Sequence, residues 1–517
     1  MTDRRNFLKL GGLSLLGAAM PPIPIAFAQT QPADTRKADY TIEIANGLAD
    51  IGPDQIISTT LYNGQFPGPL LRFHEGQAVT VDIQNNTDHP EFLHWHGQKI
   101  PTDVDGAGEE GSRVMPPHGM IRETFTPGPS GFRFYHMHVR AGADLSRGQY
   151  SGQVGPVYIE PKSSPGAYEQ EIFLVLKEFE PAFSRGGGMD MDFLAGEEIK
   201  ALKEKGEATM NASLKRGMPK GYEVGYQFFT INGRMLGHGE PIRVKEGQRV
   251  LFHILNGSAG EIRSLAMAGH RFRVIATDGN PVPHPAEVPV LWIGTAERIS
   301  AIVEMNHPGV FVLGDLSDDD RGHGMGIVVE YAGARGKPQW QKPRPFKWDY
   351  TLFGSSQAAA QPDQIVDVVF AKDNAADHGF NRWTINGVAF DTMEMGVQPM
   401  LRLTPGRRYR LRMRNESDDI HPIHLHRHAG LATRRLRASP ATGPRQQPEL
   451  CTKAGRCALQ DIADGQADVD AYVARPRPGA MPHRRWIMRR TRSPPRRPAC
   501  AGRGGAPAGP RCRAPGS

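Results

Sequence analysis

The first 430 residues contain no cysteine; Cys451, Cys457, Cys500 and Cys512 all lie beyond them. A disulfide framework for the body of the chain is thereby excluded. The step from Cys451 to Cys457 is not a zinc-knuckle spacing, so these thiols read as unpaired residues of a tail. Long hydrophobic runs are also missing. No internal stretch approaches ~18 consecutive apolar residues, so no membrane span is expected. An excess of basic charge is missing from the body too, although the chain as a whole carries +7. Residues 431–517 hold 18 Lys+Arg against 5 Asp+Glu, a balance of +13, which leaves the rest at −6. The basic balance therefore does not argue that the body binds nucleic acid or a membrane surface. The tail has the right sign for nucleic acid but lacks interleaved aromatics and any recognisable motif.

What is present begins with a targeting segment. Arg4-Arg5-Asn6-Phe7-Leu8-Lys9 precedes a short apolar run, and Ala26-Phe27-Ala28 supplies small residues for cleavage. Residues 1–28 read as a twin-arginine-type signal peptide, handing a folded protein to that export machinery. The expected location is periplasmic or secreted.

From Tyr40 onward, short alternating runs such as Val79-Thr80-Val81-Asp82-Ile83 are punctuated by Gly, Pro, Asn and Asp, the pattern of β-sandwiches. An internal repeat organises them. Asn63-Gly64, Asn232-Gly233 and Asn386-Gly387 each open a copy with a turn that needs positive φ. Each is followed by a strand, a second turn (Glu75-Gly76-Gln77, Glu246-Gly247-Gln248, Pro405-Gly406-Arg407), another strand and a polar turn beginning at Asn85, Asn256 or Asn415. The fold is expected to be all-β, with three consecutive Greek-key sandwich domains, the third truncated or garbled. The expected ranges are 37–162, 163–335 and 336–429, with an inserted segment at 186–219 in the second and an aberrant, disordered Arg/Pro-rich tail at 430–517. Gly196 to Lys215 is the one helix-like stretch. Strand alternation stops near Gly430.

Histidines mark two of the three copies. His94-Trp95-His96-Gly97 and His136-Met137-His138 belong to the first, and His421-Pro422-Ile423-His424-Leu425-His426 follows the third. Residues i and i+2 of a strand face the same side, so each His-x-His pair can offer two ring nitrogens to one place. Neutral imidazole suits copper, zinc, iron and nickel. The second copy carries no such pair and reads as a spacer, with His270 structural. Met189, Met191, Met210 and Met218 of the inserted segment could bind Cu(I), but scattered methionines more often fill gaps.

These motifs resemble those of the multicopper oxidases, of the bacterial laccase and copper-resistance kind, over about residues 40–428. The resemblance implies cupredoxin-like domains and up to four copper ions. His94 and His424 would hold a single type 2 copper. His96 and His136 would hold one type 3 copper, and His138 and His426 the other. His421 would be a ligand of the type 1 copper that accepts electrons. Asp105 matches the acidic residue that relays protons to dioxygen; as a turn residue before Gly106 it has an equally simple structural reading. The implied activity is one-electron oxidation of phenolic or metal-ion donors coupled to four-electron reduction of dioxygen to water. A copper nitrite reductase explains neither the three repeats nor the His421–His426 motif.

The family's fourth motif, His-Cys-His followed by a further histidine and a Met or Leu, is absent. It would supply the type 1 thiolate and one ligand for each type 3 copper. An impaired oxidase is therefore expected, the alternative being a non-catalytic copper-binding or sequestering protein derived from one. The tail has 17 Arg and 1 Lys, whereas the body uses Lys freely, as if a GC-rich gene were read in the wrong frame. Resequencing the gene is expected to reveal a frame change near Ala429; a continuous frame with no shifted His-Cys-His would remove that explanation.

Overall fold

The computed structural model describes residues 37–108, 111–139, 147–162, 167–179, 194–195, 223–224, 226–355, 361–373, 382–389, 403–404, 406–417, 421–427, 430–432 and 465–472. The export segment, the helix-like stretch, the four methionines of the insert and all four cysteines lie outside these residues. Among the described residues, no helix is long and apolar enough to cross a membrane.

The repeat read in the sequence is also a repeat of hydrogen bonds. Asn63, Asn232 and Asn386 have φ of 50°, 52° and 51°, and the glycines after them have 67°, 75° and 77°. This is the double positive-φ turn that Asn-Gly favours between paired strands. Each asparagine side chain then clasps the strand that opens its copy. Its Oδ1 accepts from the backbone N–H of Glu43, Val175 or Val369 at 2.7, 2.8 and 2.8 Å. Its Nδ2 donates to the carbonyl of Thr41, Phe173 or Asp367. The closing turns repeat as well. Asn85, Asn256 and Asn415 accept from the N–H two residues on, at 3.0, 3.0 and 2.9 Å.

Strand pairing follows the same rule. In each copy the first strand runs parallel to the strand after the Gly turn: Tyr40–Gly52 beside Val79–Asn85, Gln170–Phe179 beside Arg249–Asn256, and Gln364–Asp373 beside Arg408–Asn415. The first copy has two four-stranded sheets and the second has a six-stranded and a five-stranded sheet, each pair facing across an apolar core. The alternation in Val79–Asn85 appears as a strict buried/half-buried pattern. The fold is thus all-β and cupredoxin-like, as the sequence implies.

The third copy differs. Its strands form one six-stranded sheet, and among the described residues no second sheet faces it. Leu411 and Met413 bury one side against the core shared with the second copy. Ile365, Trp383, Ile385 and Val388 remain substantially exposed.

One expectation is corrected here. Strand structure does not stop near Gly430: Gly430–Ala432 and Gly465–Tyr472 are strands. Gly465–Tyr472 pairs antiparallel with the whole of Arg408–Asn415, from Asn415↔Gly465 to Arg408↔Tyr472. Backbone pairing satisfies an edge that would otherwise leave a row of donors and acceptors unpaired, and it asks little of the side chains. The alternation Ala467, Val469, Ala471 against Gln466, Asp468, Asp470 was its signal in the sequence.

Candidate metal centre

Two strands of the first copy build half of the site. Leu93–His96 pairs antiparallel with Gly131–Met137, which sets His94 directly opposite His136. The His138 N–H continues the ladder onto the Phe92 carbonyl at 3.1 Å. The other half comes from the segment after the third copy, more than 300 residues away.

The structure brings six of the seven motif histidines together. His94 Nε2 lies 3.4 Å from His424 Nε2. His96 Nδ1 lies 3.2 Å from His136 Nε2. The rings of His138 and His426 meet edge to face, with centroids 4.9 Å apart. The ligand atoms of His94, His424 and His426 all fall within 4.8 Å of one another, as do those of His94, His96 and His136. His421 stands apart from this cluster. Its Nε2 is 2.6 Å from Ser417 Oγ and its ring stacks on Phe370.

Hydrogen bonds fix which nitrogen each ring turns inward. His94 Nδ1 donates to the Asp105 carbonyl at 2.6 Å, and His136 Nδ1 donates to the Met137 carbonyl at 2.6 Å. His426 Nδ1 donates to Asp105 Oδ2 at 2.9 Å. In each case Nε2 is left as the lone-pair nitrogen, the usual way a protein orients metal-binding imidazoles. Asp105 is fully buried and serves both halves of the site at once. Its Oδ1 has no hydrogen-bond partner and lies 3.7 Å from His94 Nδ1. The turn that carries it needs Gly106, at φ 80°, because a Cβ there would overlap the Leu93 carbonyl. The turn reading and the site reading of Asp105 therefore describe one device.

Burial and mutual repulsion disfavour protonation of five of these rings. Burial pushes His136 down to about 4 and His138 to about 3, with the neighbouring imidazoles adding to it. Burial also drives His94, His96 and His424 well below the ordinary histidine range. Neutral imidazoles whose lone pairs converge make a donor set suited to copper, and the residues present fit that ion.

Sequence reading missed the groups that support the cluster. Trp95, between two site histidines, donates from Nε1 to Glu123 at 2.8 Å on the other side of the strand. Burial raises the Glu123 carboxyl to about 8. Phe134 stacks on His96 and His136, and Arg298 of the second copy lies over Phe134. His270 is structural, as expected: its two nitrogens meet the Ala268 carbonyl and the Tyr331 hydroxyl.

Fold and site together make a β-sandwich protein with an imidazole-rich candidate metal centre. Comparison with known proteins agrees. The family description "Multicopper oxidase" matches residues 49–164 and again 200–331. Multicopper oxidase MmcO of Mycobacterium tuberculosis is 29% identical over 457 residues, covering 82% of this chain and 85% of that protein. A copper resistance protein A homolog of Pseudomonas syringae pv. tomato is 27% identical over 370 residues, and the chain spans 61% of its length. The solved laccase of Botrytis aclada superposes with a TM-score of 0.61 at 18% identity, over 83% of this chain and 82% of that one, a likeness of fold. The chain thus carries two multicopper oxidase domains, and its similarity is to copper-dependent oxidoreductases.

Two outcomes follow for the site. Asp105→Ala removes the acceptor of His426 Nδ1, and copper affinity measured by chelator competition should fall about 10- to 100-fold; unchanged affinity would contradict the role. The second concerns pH. Imidazoles of the unfolded chain take up protons near their ordinary 6.5, whereas the folded His136 and His138 resist until about 4 and 3. Between those values the unfolded state binds more protons, so the metal-free chain should lose stability as pH falls from 6.5 towards 4. Urea titrations of a His136→Gln, His138→Gln variant should show a flatter dependence; an unaltered slope would refute the assignment.

Proposed function

We propose that the chain is the body of an exported copper oxidase whose histidine cluster binds copper but whose electron-entry site is incomplete. The observation that carries this reading is the convergence of six imidazoles from the first and third copies, with Asp105 bonded to both contributions. His94 and His424 would hold one ion, His96 and His136 a second, and His138 and His426 a third; nitrogen contacts at 3.4 and 3.2 Å support the first two pairs, and the edge-to-face rings of His138 and His426 the last. Bound copper supplies one-electron exchange with a donor and the four-electron reduction of dioxygen to water.

The chain's own residues prepare that chemistry. The carbonyls of Asp105 and Met137 hold the rings of His94 and His136, and the Asp105 carboxylate holds His426. The buried Asp105 Oδ1, without a hydrogen-bond partner, is available to carry a proton at the edge of the cluster. Donors would be phenols or metal ions, a reading supported by the names of the relatives, which include laccases and copper resistance proteins. The paired arginines at Arg4-Arg5 support export to the periplasm or beyond.

Impairment rests on the missing motif. A type 1 site takes two imidazoles and a thiolate. His421 has Ser417 and Phe370 beside it, and the sequence holds no His-Cys-His segment to supply the thiolate and the second imidazole. The test is copper quantification per chain, the visible spectrum, and oxygen uptake with a phenol and with Cu(I). Copper bound without an intense blue thiolate band, together with feeble oxygen uptake, is expected. A blue band with rapid uptake would overturn the impairment, and a chain that binds no copper would overturn the whole reading. Copper binding with no uptake at all would leave sequestration as the function.

A further inference from the structure

The second copy supplies no histidine to the cluster, yet one of its side chains reaches the cluster's wall. Arg298 opens the strand Arg298–Glu304 and is buried. Its Nη1 donates to the Ala296 carbonyl at 2.6 Å and lies 3.2 Å from Asp278 Oδ1. Its Nη2 donates to the Asp278 carbonyl at 3.3 Å, and its Nε has no partner. The guanidinium carbon sits 5.3 Å from the centroid of Phe134. Phe134 stacks on His96 with centroids 4.2 Å apart, and His96 stacks on His424 at 3.7 Å and 19°. Arg298, Phe134, His96 and His424 therefore form one column, with a cation from the second copy, two rings from the first and an imidazole from the third.

Space around the column is fully used. Gly97, at φ 83°, lies where a Cβ would come within 2.9 Å of Arg298 Nη2. Arg133, also buried, binds the carbonyls of Asp278 and Gly279 and Asn280 Oδ1, and among the described residues it forms no ion pair. Two buried guanidinium groups thus share the Asp278 loop. Glu297, next in the chain, is engaged by the Tyr350 hydroxyl at 2.9 Å and the Gly294 N–H at 2.8 Å.

We propose that Arg298 is a positioning residue for the copper cluster, fixing the planes of His96 and His424 through Phe134 while its buried charge favours Cu(I) over Cu(II) in the cluster. A cation over an aromatic face holds the ring by its quadrupole. A unit positive charge in a poorly screened interior disfavours the more highly charged of two ions at a neighbouring site. This inference rests on the copper-binding reading.

The test is a pair of chelator-competition titrations on the full chain, one with Cu(I) and one with Cu(II). Arg298→Met, which keeps bulk and removes charge, should lower the ratio of Cu(I) to Cu(II) affinity about tenfold, the scale of one unit charge at such separations. Arg298→Lys should restore most of the ratio. Asp278→Asn, which removes the compensating carboxylate, should move the ratio the opposite way. A merely structural role would weaken both affinities alike, so an unmoved ratio, or shifts of the same sign in Arg298→Met and Asp278→Asn, would overturn the proposal. If circular dichroism shows Arg298→Met unfolded, Asp278→Asn and Arg298→Lys decide the matter alone. A wild-type chain that binds neither ion would sink the copper reading and this inference together; a wild type that binds both with an unmoved ratio in the variants would sink this inference only.

Discussion

One buried carboxylate joins the two ends of the folded chain. Asp105 offers its carbonyl to His94 of the first copy and its carboxylate to His426, which follows the third. Both bonds draw the two contributions to the cluster together. Burial of the site makes those bonds strong, and it also disfavours protonation of His94 and His424. The sandwiches of the first and second copies serve as the frame that brings these distant segments to each other.

Much of this was legible in the sequence, because it depends on residue types with few conformational alternatives. Asn-Gly pairs tolerate the left-handed backbone, and the three pairs make the same turn with the same asparagine side-chain bonds. The His-x-His spacing places two imidazoles on one face of a strand, and His94 and His136 stand opposite each other on paired strands. The Asn85, Asn256 and Asn415 turns likewise needed only local chemistry.

The rest was hidden because it arises from contacts between elements. Nothing around Arg298 or Phe134 distinguishes them in the sequence, since an arginine beside a carboxylate and a phenylalanine in a strand are ordinary. Only docking of the second copy against the first places a guanidinium over that ring. A copy without motif histidines looks like a spacer on paper, yet its sheets carry a charge to the wall of the cluster. The strand Gly465–Tyr472 was overlooked for another reason: the arginine-rich composition around it masked a short alternation. The third copy keeps Ile365, Trp383 and Val388 exposed on a sheet without a described facing layer.

X-ray absorption at the copper edge of the metal-loaded chain tests the central claim most directly, because it reports the atoms around the ion. The expected first shell is nitrogen and oxygen alone, with the outer-shell scattering characteristic of imidazole rings. A short copper–sulfur contribution, or the absence of imidazole scattering, would contradict a centre built from His94, His96, His136, His138, His424 and His426.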